Sequence, residues 1–236
     1  MGIVVAIGGG KETFEIDKYI VSLAGKTKPS VLIIPTASDE QQGYIGLLAK
    51  IYQGKLKCKV KTLKIITTEM TREAIREKIL AADIIYVGAG DTRKMLRVWS
   101  EFAVGKYLAE AFGNGAILSG LSAGAVCWFQ DAYSDSVLHE SGAYAKIEGI
   151  GLIPSMMMCP HYDERDEFDE FMRGETMPAI AVENNCAFVI KDSNFRVFKG
   201  IPSARAFLIK GVGGDIIKRE LDNEEFLPIE SLLNPS

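Results

Sequence analysis

Gly120-Leu121-Ser122-Ala123-Gly124 spells G-x-S-x-G, a pattern able to hold a serine hydroxyl exposed on a sharp turn between a strand and a helix. The flanks agree. Apolar Ala116-Ile117-Leu118 leads in as a strand, and residues 123–129 lead out as a helix. Glycine at 120 and 124 lets the turn pack without Cβ clashes. The N–H of Ala123, beside the serine, can point at a developing oxyanion, helped by the positive end of the helix. The chemistry implied is acyl transfer to a nucleophilic hydroxyl.

Such a serine needs a base, and the chain has two histidines. His139 lies in a polar stretch, 135–142, and reads as a surface loop residue. His161 ends the apolar run 156–161, just past the carboxyl end of a strand, where it can meet the turn. A third group must orient the imidazole. Asp135, in Tyr133-Ser134-Asp135-Ser136, and Glu183, after a strand at 180–182, are the carboxylates to weigh.

Other chemistries fail on spacing. Gly8-Gly9-Gly10-Lys11-Glu12 resembles the tail of a P-loop, yet Glu12 stands where Ser or Thr would hold magnesium. A dinucleotide fingerprint begun at Gly8 or Gly88 meets Thr13 or Arg93 where it needs glycine. Both loops then read as tight turns at strand ends. Cys159 and His161 offer at most two metal ligands, so neither metal nor cofactor is expected. Cys58, Cys127, Cys159 and Cys186 are scattered and read as buried thiols.

The elements that must position these residues alternate. Strands are expected at Ile3–Ile7, 31–34, 60–63, 84–87 and 116–119. Helices are expected at Phe14–Leu23, 44–52 and 71–81, with further helical pattern up to Phe112. Continuous apolar strands between helices predict an α/β fold with a mostly parallel sheet and helices on both faces. Such sheets place their sites at the carboxyl ends of strands. Later come an acidic helix from about Glu164 and short strands at 180–182, 186–190, 196–199 and 206–209. No linker or repeat appears, so residues 1–236 are expected to form a single domain.

Net charge is −4, split into +5 over residues 1–118 and −9 over 119–236. That balance argues against a nucleic-acid partner, and the acidic half reads as a solvated face. The start of the chain lacks the basic region of a signal peptide, and the longest uncharged run carries four glycines. A cytoplasmic location with no membrane partner is the expectation.

Four motifs taken together, V-G-A-G-D-T at 87–92, G-L-S-A-G-A at 120–125, S-D-S at 134–136 and C-P-H-Y at 159–162, resemble the peptidase E family of serine peptidases. These are aspartyl dipeptidases related to cyanophycinases, and the resemblance covers essentially the whole chain. It implies a fold like class I glutamine amidotransferase domains, with serine in place of their cysteine. It implies Ser122 as nucleophile and His161 as base, with Asp135 as triad acid and Glu183 as the alternate. The N–H groups of Gly90 and Ala123 would form the oxyanion hole. The family usually has G-G-G-N-T where this chain has Ala89 and Asp91, and an ionised Asp91 would oppose an oxyanion. Members cleave dipeptides with an N-terminal aspartate, whose carboxylate needs a cation. Arg165, sharing a helix face with Phe168 and Met172, is the candidate, with a local salt bridge as the other reading. A small peptide is the expected partner, and a homodimer is an open one. Two other functions stay open: an α/β-hydrolase-type esterase, and a non-catalytic homologue that binds a small ligand.

Overall fold

The computed structural model describes residues 2–136, 138 and 142–233. His139 lies outside them. Two sheets carry the molecule. The first is built from β1 (Ile3–Ile7), β2 (Ser30–Ile34), β3 (Lys59–Thr62), β4 (Ile84–Val87), β5 (Ile117–Leu121), β10 (Cys186–Lys191), β11 (Asn194–Lys199) and β14 (Leu227–Pro228). Its eight strands lie in the order β14-β11-β10-β1-β5-β4-β2-β3. The second is built from β6 (Phe129–Ser134), β7 (Ala145–Glu148), β8 (Ile153–Cys159), β9 (Ala179–Val182), β12 (Ala206–Val212) and β13 (Asp215–Leu221). Its six strands lie in the order β13-β12-β9-β8-β6-β7.

The expected mostly parallel sheet is corrected to a mixed one. Strands β3, β2, β4, β5 and β1 run parallel, joined by helical crossovers. From β1 outward, β10, β11 and β14 add antiparallel. The second sheet mixes both senses. One of these pairs is a hairpin: Asp192-Ser193 joins β10 to β11, a connection too short to hold a crossover helix, so that pair must be antiparallel.

Strand alternation sorts the side chains between three cores. Val5, Ile7, Ile33 and Tyr86 face α1 (Phe14–Leu23) and α2 (Gln42–Ala49). Val4, Ala6, Ile34 and Val87 face the other way, toward α3 (Arg72–Leu80), α4 (Thr92–Phe102) and α5 (Val104–Gly113). That second core also takes Met156, Met158, Ile180 and Val182 from the second sheet, so one apolar layer joins both sheets. Met157, Cys159, Ala179 and Ala181 point outward into a third core, covered by Phe168 and Met172 of α7 (Phe168–Arg173). Among the described residues, no helix is long and apolar enough to cross a membrane.

One buried carboxylate lies beneath the amino end of α1. Asp17 is 2% exposed and accepts a hydrogen bond from the Tyr52 hydroxyl at 2.8 Å. Tyr52 reaches it from a wider, π-helical stretch at Lys50–Lys55 that continues α2. Burial pushes the Asp17 carboxyl up to about 6. The folded state therefore binds a proton that the unfolded chain releases near its ordinary value of 3.8. The stabilisation is complete below that value and is lost as pH rises through about 6. Asp17→Asn keeps the acceptor oxygen and removes the charge. It should raise unfolding free energy above pH 6 by about 1–3 kcal/mol and flatten the decline between pH 4 and 6, read by urea denaturation across that range.

Candidate active site

Ser122 sits on the turn from β5 into α6 (Ala123–Val126), with φ 56° and ψ −111°. A side chain in this region is strained, and the surroundings hold it there. A Cβ on Gly120 would lie 2.2 Å from the Gly124 carbonyl oxygen. One on Gly124 would lie 2.1 Å from that of Val87. The motif's glycines are thus demanded by the closeness of β4, β5 and α6. The expected helix at 123–129 is corrected to four residues, because Phe129 already belongs to β6.

His161 meets this turn from the end of β8. Its Nε2 is 2.9 Å from Ser122 Oγ. The backbone at His161 is left-handed, φ 50° and ψ 40°, and its N–H donates to the Gly8 carbonyl at 2.9 Å. The ring packs on Gly9, where a Cβ would stand 2.2 Å from both Nδ1 and Cε1. The first glycine loop, expected to be only a tight turn, is the surface on which the imidazole rests.

Among the described residues no carboxylate lies on His161 Nδ1, and the expected places of Asp135 and Glu183 behind the ring are corrected. Nδ1 lies 2.8 Å from Asn184 Oδ1. Asn184 Nδ2 donates to Asp163 Oδ2 at 3.1 Å and Glu164 Oε1 at 2.8 Å, and Asn184 N–H donates to Asp163 Oδ1 at 2.7 Å. Two carboxylates fix the amide's NH₂ end, so its oxygen faces the ring. His161 then carries its proton on Nδ1, and Nε2 is left to accept from Ser122. Glu183 misses the ring because neighbours past a strand point to opposite sides. Its carboxylate is held by Arg205, through Nε at 3.1 Å, Nη2 at 2.9 Å and the backbone N–H at 2.9 Å. Asp135 instead faces Arg165, with Oδ2 3.5 Å from Nη2.

The expected helix around Arg165 begins later. Tyr162–Glu164 is a single tight turn, Arg165 is irregular, and α7 starts at Phe168. Asp163 and Glu164 bond Asn184 rather than support a helix, which is how short acidic side chains break helical starts. Arg165 is nonetheless 4% exposed, over the Tyr144 ring at 4.0 Å.

Gly90, at φ 138°, lies so close to Ala37 that a Cβ would be 2.1 Å from its carbonyl oxygen. Asp91 N–H donates to that same oxygen at 2.8 Å. The loop is also held from beneath by Tyr44, whose hydroxyl accepts from Ala89 N–H at 3.0 Å. Among the described residues, neither Gly90 N–H nor Ala123 N–H donates to an acceptor. Asp91 caps α4, accepting from Lys94 N–H at 2.9 Å, and so serves the structure of the helix. The Ala37 turn depends in its turn on buried Glu40, which accepts from Ile66 and Thr67 N–H groups at 2.8 and 3.0 Å.

Asn184, Asp163, Glu164 and Gly9 are the contributors that sequence reasoning missed. Their signal was available as H-x-D-E at 161–164 and the Asn-Asn step at 184–185. All four cysteines are free and buried. Among the described residues, no group of three or more His, Cys, Asp or Glu is placed to hold a metal ion.

This mixed α/β fold is that of known peptidases. The chain matches a peptidase from an acI-B1 Actinobacterium over 97% of each chain, with a TM-score of 0.73 and 20% identity. It matches a candidate peptidase E from Listeria monocytogenes EGD-e over 84% of this chain and 98% of that one, with a TM-score of 0.68 and 22% identity. The chain belongs to peptidase family S51, whose model matches residues 4–198. Among curated relatives, the uncharacterised peptidase YgaJ of Bacillus subtilis (strain 168) is 32% identical over 69% of this chain and 70% of its own length. A cyanophycinase of Trichormus variabilis is 24% identical over 82% of this chain and 70% of its own. The protein is therefore a peptidase.

Because the imidazole lies on a bare Cα, Gly9→Ala should push His161 away from Ser122 while leaving the sheets intact. Peptidase activity is expected to fall by at least about 10²-fold with a melting temperature shifted by only a few degrees. Wild-type activity in that variant would overturn the packing argument.

Proposed function

We propose that this protein is a serine peptidase of small peptides, working through Ser122, His161 and Asn184. The observation that carries the reading is the pair of 2.9 and 2.8 Å contacts on the two imidazole nitrogens, with the outer one ending on an amide of fixed orientation. Ser122 Oγ attacks the scissile carbonyl as His161 Nε2 takes its proton. The imidazolium keeps its Nδ1–H on Asn184 Oδ1, and the Asp163 and Glu164 carboxylates lie beyond that amide. The Gly90 and Ala123 N–H groups receive the oxyanion. His161 then protonates the leaving amine, and water releases the acyl group by the reverse route. An amide in the third position supports the same chemistry in Cys/His/Asn proteases of papain type. The parallel order β3-β2-β4-β5-β1, with the hydroxyl just past β5, supports the expected likeness to class I glutamine amidotransferase domains.

The preferred substrate in this reading is a dipeptide with an N-terminal aspartate, and Arg165 would receive its side-chain carboxylate. What supports it is a buried guanidinium whose Nη1 has no hydrogen-bond partner among the described residues. Cytoplasmic action as a single domain completes the proposal.

Ser122→Ala and His161→Ala should each remove nearly all Asp-Leu hydrolysis, and retained turnover in Ser122→Ala would sink the scheme. The amide itself is tested separately. Asn184→Ala should lower kcat by about 10²–10³ with little change in KM, because it frees the tautomer and tilt of His161 without touching substrate. Asn184→Asp should not rescue it, since a third carboxylate would then abut Asp163 and Glu164.

A further inference from the structure

The backbone donors after β4 can be followed one by one. Gly88 N–H donates to the Ile34 carbonyl at 3.1 Å, and Ala89 N–H to the Tyr44 hydroxyl oxygen at 3.0 Å. Asp91 N–H donates to the Ala37 carbonyl at 2.8 Å. Thr92 and Arg93 N–H groups donate to Ser136 Oγ at 2.9 and 3.4 Å, and Lys94 N–H to Asp91 Oδ1 at 2.9 Å. From Gly88 to Lys94, Gly90 alone has an N–H with no acceptor among the described residues. Gly90 is also exposed, whereas Gly88 is buried and Ala89 half-buried. One open donor among satisfied neighbours is the one able to meet an incoming oxygen.

The acceptors on either side of Gly90 share an origin. Ala37 and Tyr44 both lie on the connection from β2 into the first turn of α2, and β2 is the strand paired with β4. Buried Glu40 sits between them and anchors that connection. Besides the backbone donors already described, it accepts from Thr67 Oγ1 at 2.6 Å. The Tyr44 ring lies under the loop, where a Cβ on Gly88 would stand 2.6 Å from its Cε1. Its hydroxyl reaches one residue further, to Ala89. Without that oxygen, Ala89 and Gly90 would carry adjacent N–H groups with no acceptor. A half-buried N–H left unsatisfied is costly, so the loop would turn to offer it to water or to substrate at the expense of Gly90.

We propose that Tyr44 is a positioning residue for the oxyanion hole: by accepting from Ala89 N–H, its hydroxyl leaves Gly90 N–H as the donor that this loop aims at the substrate. The inference rests on the serine-peptidase reading above and adds what assigns the donor. Tyr44 acts through the loop and needs no contact with the peptide.

The test measures the rate constant for fluorophosphonate labelling of Ser122, with Asp-Leu turnover alongside, in wild type, Tyr44→Phe and Tyr52→Phe. Labelling reads the oxyanion hole without a peptide, because the phosphoryl oxygen takes the place of the scissile carbonyl oxygen while fluoride leaves. Tyr44→Phe keeps the ring on Gly88 and removes only the acceptor. Its labelling should slow by about 10- to 10²-fold, the scale of a misplaced or weakened oxyanion donor. Its kcat for Asp-Leu should fall by a similar factor, with KM within about twofold of wild type. Tyr52→Phe removes a hydroxyl that bonds Asp17 and not the loop. It should label within about twofold of wild type, as expected of a site whose donors are undisturbed. If Tyr44→Phe does not fold, Tyr44→Met, which fills the space without an accepting hydroxyl, is read in its place. Labelling of the Tyr44 variant at the wild-type rate overturns the inference. So does an equal slowing in Tyr52→Phe, which would make the effect one of general loosening, and so does a loss confined to KM. If wild type is labelled but leaves Asp-Leu intact, the dipeptide assignment falls and the labelling ratio alone decides the role of Tyr44. No labelling of wild type overturns the serine-peptidase reading and this inference with it.

Discussion

A neutral imidazole has one proton and two nitrogens, and this site depends on which nitrogen holds it. Asn184 decides. An amide can present either end to a ring, but here its nitrogen end is claimed by Asp163 and Glu164, leaving oxygen for His161 Nδ1. The lone pair on Nε2 then has to face Ser122. Negative charge behind the histidine is present but stands one amide away.

The backbone supplies the remaining constraint. Ser122 and His161 are both held at positive φ, and both are backed by glycines whose missing side chains let another segment come close. Ser122 is pinned where β4 and α6 crowd β5, and His161 lies against Gly9. The two conformations belong to different sheets, one from the parallel strands and one from β8. Their shared apolar layer of Val87, Ala123, Met158 and Val182 is what fixes the distance between them. Site geometry is in this sense a property of core packing, where volume changes of a single methylene are felt.

The parallel strands β1, β2, β4 and β5 were legible from their apolar runs, whereas edge strand β3, Lys59–Thr62, alternates exposed and half-buried positions; the turn at Ser122 was legible because its glycines sit at fixed offsets. His161 could be found because there were only two histidines to weigh. The second sheet was not legible as a sheet. Residues 129–134 directly follow a very short helix, so their strand character hid behind an apparent helical continuation. In β7 and β13 the polar faces outweigh the apolar ones. The third member of the site was missed for a chemical reason: a search for a carboxylate passes over an asparagine. Glu183 and Asn184 are adjacent, and only the end of β9 determines which of them turns toward the ring. Asp135 drew attention as a carboxylate near the right place in the sequence, yet its neighbours tie it to the head of α4 and to Arg165.

The contact between Ser122 and His161 spans 39 residues of chain and that between His161 and Asn184 another 23. During synthesis the serine emerges first, on a parallel sheet that still lacks β10, its antiparallel neighbour on β1. A fragment ending before β8 has the turn and the oxyanion loop but no base. One ending before residue 184 has a base with nothing to set its tautomer. In the proposed mechanism hydrolytic competence would wait for residue 184, just before the chain returns from the second sheet to pair β10 with β1. A peptidase that works in this way would stay inert through most of its own translation, when unfolded segments of its own chain are nearby.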